Sequence, residues 1–173
     1  MNLTKDGAEM RKYIAIILSF LMLSALFIGC GKQESQSQTT FIGNPWSDWD
    51  SLQEAETAVG FPFGLPETIG NYTAAAFRTM NNELIEIIYR DGDSEVRVRK
   101  QAGEDQDISG DYNQYDICTE ETIHSGTVTH YQNSESNALK QVISYNGYSW
   151  SVTASDGFPG DSNRDFLNLI FGE

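Results

Sequence analysis

Positive charge is scarce in this sequence. Its 173 residues include 11 lysines and arginines against 25 aspartates and glutamates, which gives a formal net charge of −14 at pH 7. Such an excess of negative charge repels the phosphates of nucleic acids and the headgroups of anionic lipids. The composition therefore argues against nucleic-acid binding and favours cations, basic proteins or neutral ligands as partners.

Cysteine is also scarce, with only Cys30 and Cys118 in the chain. If Cys30 is modified, Cys118 has no partner within the chain, so no disulfide frames the fold. The stretch YDICTEE around Cys118 is typical of a strand, and we expect a small, buried and unreactive side chain there. A nucleophilic role would need a nearby base, and His124 alone is close in sequence.

Histidines are few, and the common catalytic motifs are lacking. No G-x-S-x-G nucleophile elbow, P-loop or H-E-x-x-H zinc motif occurs in the sequence. His124 and His130 are the only histidines, whereas zinc ordinarily takes three or four ligands. We therefore predict that the protein is not an enzyme and has no cofactor. The alternative is a carboxylate-based hydrolase of cell-wall or peptide substrates, with acids such as Glu83, Glu86 or Glu95.

The one long apolar run lies near the N-terminus. In MRKYIAIILSFLMLSALFIGC two basic residues precede an apolar run from Tyr13 to Ile28, and Gly29 then precedes Cys30. This order is typical of a secretory signal, and the run is shorter than the ~20 residues of a membrane-spanning helix. A cysteine directly after a small residue resembles a bacterial lipobox, which implies a lipid on the Cys30 thiol. An uncleaved N-terminal anchor is the alternative, with the same topology.

Three parts of the chain are predicted. Residues 1–29 form a lipoprotein signal peptide, and its pattern of charge favours Met10 as the true start. Residues 30–44 form the lipidated cysteine and a flexible polar tether, and residues 45–173 form a single α+β domain. We expect the lipid to hold this domain on the outer, extracytoplasmic face of the cell membrane.

Helices are predicted at both ends of the domain, with strands between them. The first helix, in WDSLQEAETAVGF, has a capping box and a glycine stop, and the second lies in DSNRDFLNLIFG. Between them about seven strands are separated by turn signals such as Asn81-Asn82 and Asn146-Gly147. The predicted fold class is α+β, a twisted antiparallel sheet of about seven strands with both terminal helices packed on one face.

Aromatic residues are the candidate ligand-binding residues. Trp46 and Trp49 lie in NPWSDW, and Tyr148 and Trp150 lie in the last strand. Paired exposed tryptophans often bind sugars or proteins, but beside a helix start packing onto the core is favoured. The strand aromatics indicate an uncovered sheet face that binds an apolar peptide, an acyl chain or a partner protein. They are Tyr89, Tyr131, Tyr145, Tyr148 and Trp150.

Acidic loops are the weak candidates for a metal site. They contribute Asp91, Asp93, Asp105, Asp107 and Asp111. Calcium prefers several carboxylate and carbonyl oxygens on flexible loops. The spacing of an EF-hand is missing, however, and solvated loops that keep the protein soluble are the favoured interpretation. We therefore expect no metal site.

Three stretches carry a resemblance to a known family. They are NPWSDWDSLQEAETAVGFPFGLP, ELIEIIYRDGDSEVRVRKQAGEDQDISGDYNQY and NGYSWSV. They resemble a domain-of-unknown-function family of Firmicute (Clostridia-type) membrane lipoproteins, which also occurs fused to anti-sigma-factor segments. The helix-and-sheet plan is more loosely similar to lipoprotein-carrier and stress-sensor domains, which bind acyl chains or peptides. The resemblance implies a membrane-anchored lipoprotein that binds or senses a ligand without catalysis.

Overall fold

The computed structural model describes residues 44–135, 139–154, 156–157 and 162–172. Nine strands and two helices lie within these ranges. The strands are β1 (Trp46–Trp49), β2 (Thr68–Ile69), β3 (Tyr72–Met80), β4 (Leu84–Asp91), β5 (Ser94–Ala102), β6 (Ile117–Ile123), β7 (Gly126–Gln132), β8 (Leu139–Tyr145) and β9 (Tyr148–Ala154). The helices are α1 (Leu52–Val59) and α2 (Ser162–Phe171).

The predicted membrane anchor falls on residues that the structure does not describe. The signal peptide, Cys30 and all of the tether before Asn44 lie outside the described residues. Within the described ranges, no helix is both long enough and apolar enough to cross a bilayer.

The predicted fold class, α+β with about seven strands, is wrong. The described chain is mostly antiparallel sheet, with nine strands and two short helices of 8 and 10 residues. The two strands that the sequence pattern misses are β1 and β2, which are only 4 and 2 residues long. Both strands form because they pair with β3. Segments this short cannot show a clear alternation of apolar and polar residues, so the sequence pattern does not reveal them.

All nine strands belong to one sheet. Their order is β1-β3-β4-β5-β9-β8-β7-β6, and β2 pairs separately with β3. Most neighbouring strands are joined by short turns, but β5 pairs with β9, which comes much later in the chain. This pairing leaves β1 and β6 at the two edges of the described sheet.

Tight turns fix the register of the hairpins. Asn81 and Asn82 have φ angles of 54° and 56°, and Asn146 and Gly147 have φ angles of 52° and 80°. Positive φ at both central residues is typical of the turns that match the right-handed twist of two strands. The turns predicted at these two sites are confirmed.

One face of the sheet is apolar and packs against the helices. Ile87, Val98 and Val152 are in register on β4, β5 and β9, and none has exposed surface. Ala55 of α1 and Phe166 of α2 belong to the same core. Full burial of one such large side chain contributes about 1.5–3 kcal/mol, so this helix face supplies most of the hydrophobic stabilisation.

The opposite face is polar and carries most of the domain's positive charge. We call it the arginine face, and it is defined by Arg78, Arg90, Arg97, Arg99 and Lys140. Side chains alternate between the faces along a strand, so these residues point away from the helices. Residues 103–116, here called the strap loop, follow β5 and cross this face before β6 begins.

Candidate functional site

The four candidate aromatic residues do not form one site. Trp46 and Trp49 are three residues apart on β1, so they lie on opposite faces of the sheet. The Nε1 group of Trp49 donates to Thr79 Oγ1 at 3.0 Å, and its ring packs against the core. Trp46 lies on the arginine face, with its ring centroid 4.9 Å from Arg78 Cζ and 5.1 Å from Arg99 Cζ.

Tyr148 and Trp150 surround a buried lysine on the helix face. The Nζ atom of Lys100 lies 4.2 Å from the Tyr148 ring centroid and 4.6 Å from that of Trp150. The same Nζ donates to the carbonyl oxygens of Pro62 at 2.6 Å and Phe63 at 3.1 Å. Burial lowers the pKa of Lys100 to about 8. The space between these aromatic rings is therefore filled by the protein's own cation.

The expected uncovered aromatic face is not present among the described residues. Tyr89 and Trp150 are core residues, and Tyr145 packs against that core. In the described ranges the large hydrophobic side chains that are exposed are Tyr112 and Ile117.

A buried carboxylate organises the centre of the arginine face. Arg78, Glu86 and Arg99 are direct cross-strand neighbours on β3, β4 and β5. Glu86 Oε1 accepts from Arg78 Nε at 2.9 Å and also from its Nη2, and Oε2 accepts from Arg99 Nε at 2.7 Å. The Glu86 side chain has no exposed surface. Charge-assisted bonds from both sides therefore fix the two guanidinium groups in place.

A second carboxylate holds the other two arginines. Glu95 Oε2 accepts from Arg90 Nη2 at 2.8 Å, and Oε1 accepts from Arg97 Nε at 2.8 Å. Partial burial acts to raise the pKa of Glu95, but the hydrogen bonds and charges of Arg90 and Arg97 outweigh it and hold the pKa below its ordinary value. Each of the two glutamates thus bonds to a pair of arginines, so two guanidinium groups share one carboxylate at each place.

The strap loop is bonded to the arginine face along its length. Arg99 Nη1 donates to the carbonyl oxygen of Ile108 at 3.0 Å. Lys140 Nζ donates to Asp107 Oδ2 at 3.0 Å and lies 4.4 Å from the Tyr131 ring centroid. A Cβ atom at Gly110 would clash with the Arg99 guanidinium, so glycine permits this close approach. These contacts hold the loop against the sheet.

The candidate metal ligands mostly bond within or beside the strap loop. Asp111 Oδ1 accepts from the Asn113 backbone N–H at 2.9 Å, and its Oδ2 accepts from the Tyr115 hydroxyl. Asp105 Oδ1 accepts from the Ser144 hydroxyl at 3.0 Å. Among the described residues, no three acidic, histidine or cysteine side chains are grouped as the ligands of one metal ion.

Asp107 is held as a carboxylate in the loop. Burial acts to raise its pKa, but hydrogen bonds from Ser109 and Lys140 and the charge of Lys140 outweigh burial and keep the pKa below its ordinary value. The remaining candidates, Asp91 and Asp93, lie in and beside the turn between β4 and β5.

A cavity of about 320 Å³ lies between the strap loop and the arginine face. The sheet side of this cavity is lined by Glu95, Arg97, Arg99, Leu139, Thr153 and Ala154, and the loop side by Ser109, Gly110, Asp111, Asn113 and Tyr115. Pockets that hold small ligands have volumes of about 300–1,000 Å³. This cavity is at the small end of that range and its wall carries both donors and acceptors.

Sequence reasoning missed the two arginines of this cavity. The alternation in EVRVRK predicts one buried and one wet face, and it treats Arg97 and Arg99 as solvated. In the structure the Arg99 side chain is only 12% exposed. The available signal was the clustering of arginines on one strand face in a chain where basic residues are scarce.

The exposure of Cys118 differs from the prediction. The thiol is free and exposed, because β6 is an edge strand whose other side has no described strand beside it. Its facing residue is Tyr131 on β7, and a strand pattern in the sequence does not tell an edge strand from a central one. The prediction of a buried residue is therefore wrong.

No protein-family model matches the chain, and neither the curated proteins nor the solved structures contain a significant match. The resemblance to Firmicute lipoproteins therefore stays a prediction.

Proposed function

We propose that the protein is a lipid-anchored extracytoplasmic binding module that holds a small polar ligand in the cavity under the strap loop, without catalysis. The observation that carries this proposal is the wall formed by Arg97 and Arg99. Positive side chains are scarce in this chain, and carboxylates fix these two at the edge of an open cavity. Preorganised donors bind a ligand with little further loss of side-chain entropy.

The arrangement of acids favours binding over hydrolysis. A carboxylate-based hydrolase needs one acid that keeps its proton at working pH. Glu86 accepts hydrogen bonds from two arginines and is fully buried, so it cannot reach a substrate. Glu95 lines the cavity, but its lowered pKa keeps it deprotonated. Neither residue suits the role of a general acid.

The location follows from the predicted N-terminal segment. A lipid on Cys30 and a polar tether would hold the binding domain outside the cytoplasmic membrane, where it can sample extracytoplasmic solutes or bind a partner protein. This part of the proposal depends on the sequence pattern that ends in Gly29-Cys30.

A thermal-shift screen tests the binding function. The full chain, purified in detergent, is heated with single compounds from a panel of amino acids, dipeptides, sugars, sugar phosphates and dicarboxylates, and unfolding is followed by tryptophan fluorescence. A ligand of the native state raises the midpoint by mass action. We expect at least one compound to stabilise the wild type and an Arg90→Gln variant but not an Arg97→Gln variant.

Arg90 is the matched control because it bonds to the same glutamate without lining the cavity. The proposal is overturned if no compound stabilises the wild type, or if the two variants respond alike. Mass spectrometry of the stabilising compound after incubation should recover it unchanged, and conversion to a product would establish an enzyme instead.

A further inference from the structure

We infer that the ligand is a zwitterion, namely a free amino acid or a short peptide with an unblocked ammonium group and an unblocked carboxylate. This inference rests on the proposed function and names the chemical class of its ligand. It follows from three features of the cavity: unused guanidinium donors on one wall, a carboxylate on the other wall, and a negative field around both.

Arg97 provides the carboxylate end of the site. Its Nε group donates to Glu95, and among the described residues its terminal Nη groups make no hydrogen bond. The side chain lines the cavity and is 46% exposed, so these groups remain open to a ligand. A guanidinium group donates in a planar fork that matches the two oxygens of a carboxylate.

Asp111 provides the ammonium end of the site. It lines the cavity from the strap loop, opposite the sheet residues Arg97 and Thr153. Its two oxygens each accept one hydrogen bond, from the Asn113 N–H and the Tyr115 hydroxyl. A carboxylate has about four lone-pair positions, so Asp111 can still accept from a ligand ammonium group. In contrast to Glu95, Asp111 forms no ion pair with an arginine among the described residues.

The charge of the whole chain selects against a simple anion. The formal net charge is −14, so a dicarboxylate or a phosphate ester is repelled on approach. A zwitterion has no net charge and avoids this repulsion, while its ammonium end gains from the surrounding field. The small volume of the cavity, about 320 Å³, restricts the ligand further, to an amino acid or a peptide of few residues.

Isothermal titration calorimetry on the full chain in detergent tests the inference. The probes are alanylalanine, N-acetyl-alanylalanine, which lacks the ammonium group, alanylalanine amide, which lacks the carboxylate, and inorganic phosphate. We expect alanylalanine to bind, and each blocked peptide and phosphate to bind at least about tenfold more weakly, because each loses a charge-assisted contact.

Two pairs of variants locate the contacts. Arg97→Gln should weaken alanylalanine about tenfold or more, whereas Arg90→Gln should leave its affinity unchanged. Asp111→Asn should weaken it similarly, whereas Asp105→Asn, in the same loop but away from the cavity, should not. Unchanged thermal unfolding midpoints in the absence of peptide show that each variant is folded.

The outcomes separate the two proposals. If blocked and free peptides bind alike, or if the panel compounds that bind in an Arg97-dependent way are sugars, sugar phosphates or dicarboxylates and not amino acids or peptides, the ligand class is wrong and the binding function stands. If no compound, alanylalanine included, binds in an Arg97-dependent way, both proposals fail.

Discussion

Glu86 and Arg99 face each other across β4 and β5, and the distance between Glu86 Oε2 and Arg99 Nε is 2.7 Å. The glutamate has no exposed surface and the arginine is only 12% exposed, so water cannot solvate the glutamate if its partners are lost. Arg78 bonds to the other oxygen of the same carboxylate. The three side chains form one charged row beneath Trp46, and this row supports the wall of the cavity.

Replacing Glu86 should therefore destabilise the fold. We expect Glu86→Gln to lower the free energy of unfolding by about 3 kcal/mol or more, because it leaves two poorly solvated guanidinium groups without a counter-charge. The control is Glu95→Gln, which also removes the partner of two arginines, but at a position that is 24% exposed. There we expect a loss of about 1 kcal/mol. Urea denaturation followed by tryptophan fluorescence measures both, and equal losses would contradict the role assigned to the buried row.

Lys100 should make stability depend on pH in the alkaline range. Burial lowers its pKa from 10.5 to about 8, so the folded protein binds this proton more weakly than the unfolded chain does. Below pH 8 the buried ammonium is charged in both states and its desolvation cost is present in full. As the pH rises from about 8 towards 10.5 this cost disappears, and the free energy of unfolding should rise by up to about 3 kcal/mol from this group.

The measurement is the free energy of unfolding between pH 7.5 and about 9.5, where tyrosines in the unfolded chain are still mostly protonated. Lys100→Met keeps an unbranched side chain among the aromatic rings and removes the titrating group. We expect the rise with pH to be lost in this variant. If the free energy of unfolding changed with pH in the same way in the wild type and in the variant, Lys100 would not titrate in this range.

Much of the sheet could be predicted from local signals, but its order could not. The turns at Asn81-Asn82 and Asn146-Gly147 require positive φ, which asparagine and glycine adopt readily, so they can be recognised from a few residues. The pairing of β5 with β9 joins strands far apart in sequence, and no short stretch encodes it. For that reason the exposure of Cys118 on an edge strand could not be predicted from its own strand.

The candidate site could not be predicted from local sequence patterns, for a similar reason. The alternation of valine and arginine in β5 correctly separates the two faces of the sheet. It cannot show that the chain then returns over one of those faces and that Ile108 accepts a hydrogen bond from Arg99. The acidic residues of the strap loop are interpreted from the sequence as solvated side chains, whereas Asp107 bonds to Lys140 on the sheet.

Cys118 should react rapidly with thiol reagents in the native protein. It is exposed on β6, so an aromatic disulfide reagent can reach it without unfolding. In a Cys30→Ser background, which leaves Cys118 as the one cysteine of the sequence, we expect the protein to release the chromophore as fast in buffer as in urea. Adding Cys118→Ser should abolish this reaction and change the free energy of unfolding by no more than about 0.5 kcal/mol. Labelling that occurs only after denaturation would show that the thiol is shielded.

Cys30 should carry the membrane anchor. Its place directly after Gly29, at the end of a short apolar run, predicts that a lipid is added to the thiol and the signal is then removed. With an alkyne fatty acid supplied to growing cells, we expect Cys30→Ser to abolish labelling and leave a longer precursor. Cys118→Ser is the matched control and should label like the wild type. Labelling that persists in Cys30→Ser would reject the assignment.

Hydrogen–deuterium exchange tests the location of the binding site most directly. Mass spectrometry compares the full chain with and without saturating alanylalanine. If the ligand lies between the strap loop and the arginine face, exchange should slow in peptides that contain Ser109 to Tyr115 and stay unchanged in peptides from Tyr145 to Trp150, beside the buried Lys100. Protection confined to the peptides beside Lys100, or no protection in the strap loop at saturation, would contradict a binding site at the arginine-lined cavity.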